Sequence, residues 1–319
     1  MYWPLGLGVA FCLIFGAGLF YGSRLHRDGS TRAGEALAAQ PLNREVPDPL
    51  HSFWADFLDK DTHAVLAFAN SVFVVTEMGD LLHFKGGAVD DRGALIDHEM
   101  AGRSIVNRGL LDKAGPLFYE DGYTGTGEVL SVHLLTRLFA QSGAELLVKR
   151  CRLMTVDDLK QNNVIFLGSP YENQELGELK LKQDFVFEPP ASASHLWKER
   201  ILNVHPAPGE RSSYETERDP ATQVLRADYG LFSVLPGLSP SRKIIILAGL
   251  TTSGTQGATE FATSSSAMRG LLEALGPQGA KIGSGFPPYF QCILKVEMTK
   301  GLDVLAVSCV KARVLQSGR

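Results

Sequence analysis

Residues Lys243 to Phe261 read KIIILAGLTTSGTQGATEF, and no other stretch constrains the fold as much. Ile244-Ile245-Ile246-Leu247 is an apolar run without helical spacing, as in a strand covered on both faces. Gly249 ends that run, and Thr251, Thr252, Ser253 and Gly254 make a turn of small polar residues. From Thr255 onward, Ala258, Phe261 and Ala262 fall on one side of a helix. Buried strand, small-residue turn and helix form the unit with which α/β proteins hold ligands at strand ends. The stretch predicts an α/β fold, with Gly249, Thr251, Thr252, Ser253, Gly254 and Thr255 as a candidate ligand loop.

Other segments repeat the same grammar. Phe53, Trp54, Phe57 and Leu58 have helical spacing, and AVLAFA at Ala64 to Ala69 reads as a first buried strand. Leu81 to Tyr119 lacks clean periodicity and reads as an irregular connection, with an inserted lobe or flap as the alternative. Thr124-Gly125-Thr126-Gly127 precedes a helix from Glu128 to Gln141, whose Val129, Val132, Leu135 and Phe139 share a face. AELLVKRCRL (144–153) is strand-like, Thr155 caps a short helix with Asp158 as its capping-box partner, and NVIFL (163–167) is a second buried strand. Strand, short helix and strand in so few residues fit a parallel crossover. GSPYEN (168–173) and a helical stretch follow, so Gly168, Ser169, Tyr171 and Asn173 form a second candidate loop.

Asp184 to Glu188, Ile201 to Val204 and Tyr214 to Thr216 read as short strands of an added antiparallel layer. Asp228 to Leu235 leads into the central strand, and the helix through Leu275 stops at Gly276-Pro277. Tyr289 to Met298 and Leu302 to Leu315 read as a terminal antiparallel hairpin. The expected fold is three-layer and Rossmann-like, with a mostly parallel central sheet, over residues 51–319. It is read as one domain, or as two lobes near 51–170 and 171–319.

Trp3 to Gly22 carries no charge, and about 20 apolar residues at 1.5 Å each span a bilayer core. Residues 1–23 are therefore expected to be a single-pass membrane anchor and 24–50 a flexible tether. Arg24, Arg27 and Arg32 follow the span, which places the remainder in the cytoplasm by the positive-inside rule. Basic residues or a domain further upstream would reverse that side, so extracytoplasmic exposure stays open. A formal charge of −4 and scattered basic residues exclude general nucleic-acid binding. Cys12, Cys151, Cys292 and Cys309 have no CxxC spacing and read as inert thiols, with a lean toward a reducing compartment.

The spacing Gly249-x4-Gly254-Thr255 resembles a phosphate loop, but Thr255 stands where the lysine is required, which disfavours ATP hydrolysis. What remains is a helix N-terminus ringed by hydroxyls, suited to a phosphate, carboxylate or amide. The alternative is that these residues only cap the helix. At the Gly168 loop, Asn173 can donate and accept, or simply cap its own helix. The two loops meet in one cleft if their strands are parallel neighbours. TGTG at 124–127 is a third wall or an ordinary turn. Neither HxxxH nor HExxH nor GxSxG occurs, so no metal site is expected, no motif requires a cofactor, and His133 reads as a surface or core histidine. No catalytic residue is assigned.

GSPYEN at 168–173, DYGLFSVLPGLSPSRKIIILAG at 228–249 and GTQGATEF at 254–261 resemble a Rossmann-like domain of uncharacterised bacterial membrane and signalling proteins. They are also similar to α/β repeats of surface-layer proteins. The pattern there is Gly-Gly-Pro-x-x-Asn, then Ala-Gly, then Gly-Thr with an Ala-rich helix; here Ser169 replaces the second Gly. The similarity covers Asn163 to Phe261 and implies a sensor or binding module, with no activity attached. The leading reading is a membrane-anchored, non-catalytic module for a small-molecule ligand. The alternatives are a hydrolase or transferase acting on a phosphate- or sugar-bearing substrate, and a structural surface or assembly domain. A titratable residue of shifted pKa in the cleft would favour the enzyme, and a lining of hydroxyls, amides and backbone the binder.

Overall fold

The structure, a computed structural model, describes residues 48–59, 63–71, 73–76, 79, 81–83, 117–120, 122–188, 200–280 and 285–316. The expected membrane helix over 3–22 and the tether as far as residue 47 lie outside these. No described helix is long and apolar enough to cross a membrane. The described chain begins at Asp48, three residues before the expected start of the folded part at His51. Asp48 caps helix α1 (Pro49–Trp54) by accepting from the Leu50 N–H at 3.2 Å, and Pro49 supplies a preset φ in the first turn.

The main sheet contains β1 (Ala64–Phe68), β5 (Leu146–Arg150), β6 (Asn163–Leu167), β10 (Glu217–Arg218), β11 (Leu225–Pro236), β12 (Lys243–Gly249), β13 (Phe290–Met298) and β14 (Val304–Val314). Its order is β14-β13-β11-β12-β6-β1-β5, with β10 paired beside β11. β5, β1, β6 and β12 run parallel. β11, β13 and β14 extend the sheet in antiparallel fashion. The chain is thus mixed α/β, with a parallel centre and antiparallel strands beyond it. The expected crossover is present, with α3 (Val156–Gln161) between β5 and β6, but β6 lands two places over and leaves β1 between them. Thr155 and Asp158 form the capping box that starts α3. β11 meets β12 antiparallel because only a tight turn joins them, closed by Gly237 N–H donating to the Arg242 carbonyl at 2.7 Å.

Side-chain alternation divides the core between the two faces. On one face, Leu66, Ile165, Leu167, Phe232, Ile245, Leu247, Phe290 and Leu294 pack against α1, α2 (Thr126–Gln141), α5 (Thr252–Ala262) and α6 (Ser265–Ala280). On the other, Val65, Ala67, Val164, Phe166, Ile244 and Ile246 meet Leu159 of α3 and Leu176 of α4 (Gln174–Glu178). Tyr229, Leu231 and Ile293 on that face are covered by a small sheet of β7 (Phe185–Phe187), β8 (Arg200–Asn203) and β9 (Ser213–Glu215). The expected antiparallel layer is therefore present. Strands before and after residue 170 share one sheet.

The helix expected to stop at Gly276 breaks there, at φ +65°, but helical turns resume up to Ala280. Part of the segment read as irregular is ordered: β3 (Leu81–His83) and β4 (Leu117–Glu120) flank β2 (Phe73–Thr76) in a separate antiparallel sheet. The chain leaves β1 to build this sheet and returns at residue 122 to start α2.

Candidate functional site

In parallel strands the C-terminal ends share an edge, and here that edge gathers the turns after β1, β6 and β12. Ala69 N–H donates to the Leu167 carbonyl at 2.8 Å, and Gly168 N–H to the Leu247 carbonyl at 3.1 Å, so the strand ends are laced together. Gly168 sits at φ +93°, and a Cβ there would approach the Ala69 Cβ to 2.5 Å, so glycine is required twice over. The two candidate loops are on neighbouring parallel strands, as the cleft expectation demanded.

What fills the edge is a pair of carboxyl groups that the sequence reading passed over. Glu128 lies in the first turn of α2 and is only 5 % exposed. Its Oε2 accepts from the Thr252 hydroxyl, and its carboxyl also takes the Thr255 hydroxyl. Thr252 Oγ1 in turn accepts from Gly127 N–H at 2.8 Å, and Thr255 Oγ1 from Gly249 N–H at 3.1 Å. α2 and α5 cross so closely here that a Cβ on Gly127 would strike the Thr252 carbonyl. TGTG is therefore more than an ordinary turn. Gly127 admits the Thr252 backbone, Gly125 leaves room for the Glu128 carboxyl and the Thr252 hydroxyl, and the Thr124 hydroxyl ties the loop to the Ala69 carbonyl at 2.6 Å. Burial raises the Glu128 pKa against the lowering pull of its hydroxyl donors, and Glu172 adds to the rise. Glu172 stands at the end of the Gly168 turn and accepts from the Ser71 hydroxyl.

Asp228 of β11 is fully buried. It accepts from Thr251 N–H at 3.0 Å, the Thr251 hydroxyl at 2.7 Å, its neighbour Tyr229 N–H at 2.7 Å, and Gly254 N–H. Thr251 then caps α5 by accepting from Ser253 N–H at 3.3 Å. The α5 N-terminus was expected to take an external phosphate, carboxylate or amide. An internal carboxylate stands at that place and takes the N–H of the cap residue Thr251 and the Gly254 N–H of the first turn. With Glu128 beside it, another anion would enter against like charge. Burial outweighs Asp228's four donors and pushes its pKa up to about 6.

The structure thus brings Gly168, Thr252 and Thr255 around Glu128, and Gly249, Thr251 and Gly254 around Asp228. Ser253 stays half-buried in the first turn of α5. In the Gly168 loop, Ser169 is buried and its carbonyl accepts from Glu172 and Asn173 N–H groups. Two expected ligand contacts turn elsewhere. The Tyr171 hydroxyl donates to the Glu188 carbonyl and its ring packs on Phe187, 5.9 Å between centroids. Asn173 caps α4, accepting from Leu176 N–H at 3.1 Å. The Asn173 Nδ2 is buried and has no hydrogen-bond partner among the described residues.

Glu128 and Asp228 each left a trace in the chain. A lone aspartate in the apolar run of β11 must meet donors if it is buried, and a glutamate directly after Gly127, in the first turn of its helix, sits at the helix N-terminus. Tyr123, just before the loop, is an exposed aromatic packed edge-on against Phe73 at 5.5 Å. Among the described residues, no group of three or more His, Cys, Asp or Glu is placed to hold a metal ion. His133 is exposed on α2.

Comparison with known proteins finds no matching family model, no matching curated protein and no matching solved structure.

Proposed function

We propose that the chain is a membrane-anchored, non-catalytic binding module on a three-layer, Rossmann-like scaffold, and that its ligand is rich in hydroxyl groups, as a sugar or polyol is. The carrying observation is Glu128, a buried carboxyl gripped by the Thr252 and Thr255 hydroxyls at the parallel-strand edge. Carboxylates accept from hydroxyl groups, and an exposed ring such as Tyr123 offers a face on which a pyranose can lie. Anionic ligands are disfavoured by the internal carboxylates, which moves the reading away from phosphate. The apolar run at 3–22 supports the anchor.

The test is calorimetric titration of the full-length chain in detergent with monosaccharides and disaccharides, with inorganic phosphate as the contrasting probe. Saturable heat with a sugar, weakened tenfold or more in Glu128→Gln and in Tyr123→Ala, is the expected result. Binding of phosphate alone, or sugar binding untouched by both changes, would sink the proposal.

The raised Glu128 pKa favours one second reading, a glycoside hydrolase with Glu128 as general acid and Glu172 as its carboxylate partner. Release of reducing ends from an oligosaccharide, lost in Glu128→Gln while binding persists, would replace the binder with the enzyme.

A further inference from the structure

Cys292 of β13 is fully buried, and its Sγ lies 2.8 Å from the Sγ of Cys309 on β14. The two residues are not directly opposite: Cys292 pairs with Ala312, and Cys309 with Leu294. A β-bulge at Val310, the extra residue between the Ile293–Lys311 and Leu294–Cys309 pairs, resets the alternation of β14. Cys309 and Ala312 thereby face the same core, and the two sulfurs meet across the diagonal. On its other side Cys309 reaches an open groove of about 690 Å³ between β14 and helices α5 and α6, bounded by Glu260, Ser264, Ala267, Gly270 and Val307. The pair is therefore asymmetric, with one thiol accessible from outside and its partner sealed beneath it.

From this geometry we infer that Cys292 and Cys309 are a redox-active dithiol that takes low-molecular-weight disulfides through the groove. The Cys309 thiolate attacks one sulfur of the small disulfide, forming a mixed disulfide and releasing the first small thiolate. Cys292 passes its proton to that thiolate and attacks the Cys309 sulfur, which expels the second small thiolate and closes the Cys292–Cys309 bond. Two protein thiols become one disulfide, the small disulfide becomes two thiols, and the two protein protons end on them. The hydrogen bond from Cys292 lowers the Cys309 pKa, which favours Cys309 as the attacking group. Cys151 is the internal contrast: it is fully buried, and burial pushes its thiol up to about 12. Inertness, expected of every thiol, fits Cys151 and fails for this pair. The inference is independent of the sugar site at the far end of α5.

The test equilibrates the full-length chain with mixtures of oxidised and reduced glutathione, quenches in acid, alkylates under denaturing conditions and maps the peptides by mass spectrometry. The bridged Cys292–Cys309 peptide pair, lighter by two hydrogens, is expected to rise with the proportion of oxidised glutathione while Cys151 stays reduced. Cys292→Ala is expected to trap glutathione on Cys309. Should that core change prevent folding, Cys309→Ala asks the same question from the accessible side and is expected to leave Cys292 reduced throughout. Full alkylation of both thiols at every ratio, a lasting glutathione adduct on wild-type Cys309, or a bridge to Cys12 or Cys151 would overturn the inference.

Discussion

A carboxyl group removed from water shifts upward by as much as three to five pH units when nothing compensates. Asp228 has four donors and still titrates at about 6, so burial wins, but only in part. The consequence for stability has a definite sign. An unfolded aspartate releases its proton near 3.9, whereas the native chain holds it to about 6. Between those values the native state binds more protons at Asp228, so this residue's contribution to stability is greatest below pH 4, falls as pH rises to about 6 and is level above. The decline amounts to about 3 kcal/mol for this residue. Asp228→Asn cannot ionise, and its melting temperature is expected to change less between pH 4 and 6.5 than that of the wild type. Glu128, whose pKa is raised, adds to the decline, while carboxyls held low by their partners, Glu210 at about 2 among them, oppose it. Equal slopes in the two proteins would show that Asp228 does not carry the dependence.

Two helices meet at the candidate site, and the meeting depends on a missing methyl group. Gly127 lets the first turn of α2 rest on the Thr252 backbone, which cannot rotate aside as a side chain would. Gly127→Ala is expected to lower the unfolding free energy in urea by about 1–3 kcal/mol, the range for overpacking. Gly270→Ala in α6 is the control, because a Cβ there meets nothing within 4 Å. Relief of glycine's backbone entropy is expected to stabilise that variant by about 0.5–1 kcal/mol. A neutral Gly127→Ala would mean that the two helix starts are not pressed together.

The same pair of glycines marks how far the elements were legible beforehand. Apolar runs and capping residues announce strands and helices because they are local, so β1, β6, β12, α3 and the terminal hairpin were readable. Partners across the fold were not: nothing near Thr252 names Gly127, and nothing near Thr251 names Asp228. Strand direction was equally silent in the DYGLFSVL run, because alternation is the same for a strand and its reverse. Only the short link from Pro236 to Lys243 carried that information. Tyr171 and Asn173 were read as ligand contacts from chemistry alone. The Tyr171 hydroxyl meets the Glu188 carbonyl and the Asn173 Oδ1 caps α4, while the Asn173 Nδ2 is buried without a hydrogen-bond partner among the described residues.

At the scale of the whole molecule, the described residues from Asp48 onward form one compact unit whose parallel and antiparallel halves are bound together from one face by its first helix. Phe53 of α1 packs edge-on against Phe232 of β11 and Phe286, at 5.4 and 5.3 Å, and lies 6.1 Å from Phe290 of β13. The next residue, Trp54, is fully buried, touches Phe57 and Phe139, and donates its indole N–H to the Ala262 carbonyl at 2.9 Å. One turn of helix thus joins the strands after residue 225 to α2 and the end of α5. A truncated indole leaves a cavity and an unmet carbonyl where these parts converge, which costs about 3–5 kcal/mol. In a chain of this size each kcal/mol lowers the melting temperature by about 2–4 °C. Trp54→Ala is therefore expected to melt about 6–20 °C below the wild type, with Trp54→Phe between them because the ring volume is partly kept. A loss of under 3 °C for Trp54→Ala would mean that α1 only lies on the domain, and that the two halves of the sheet hold together without it.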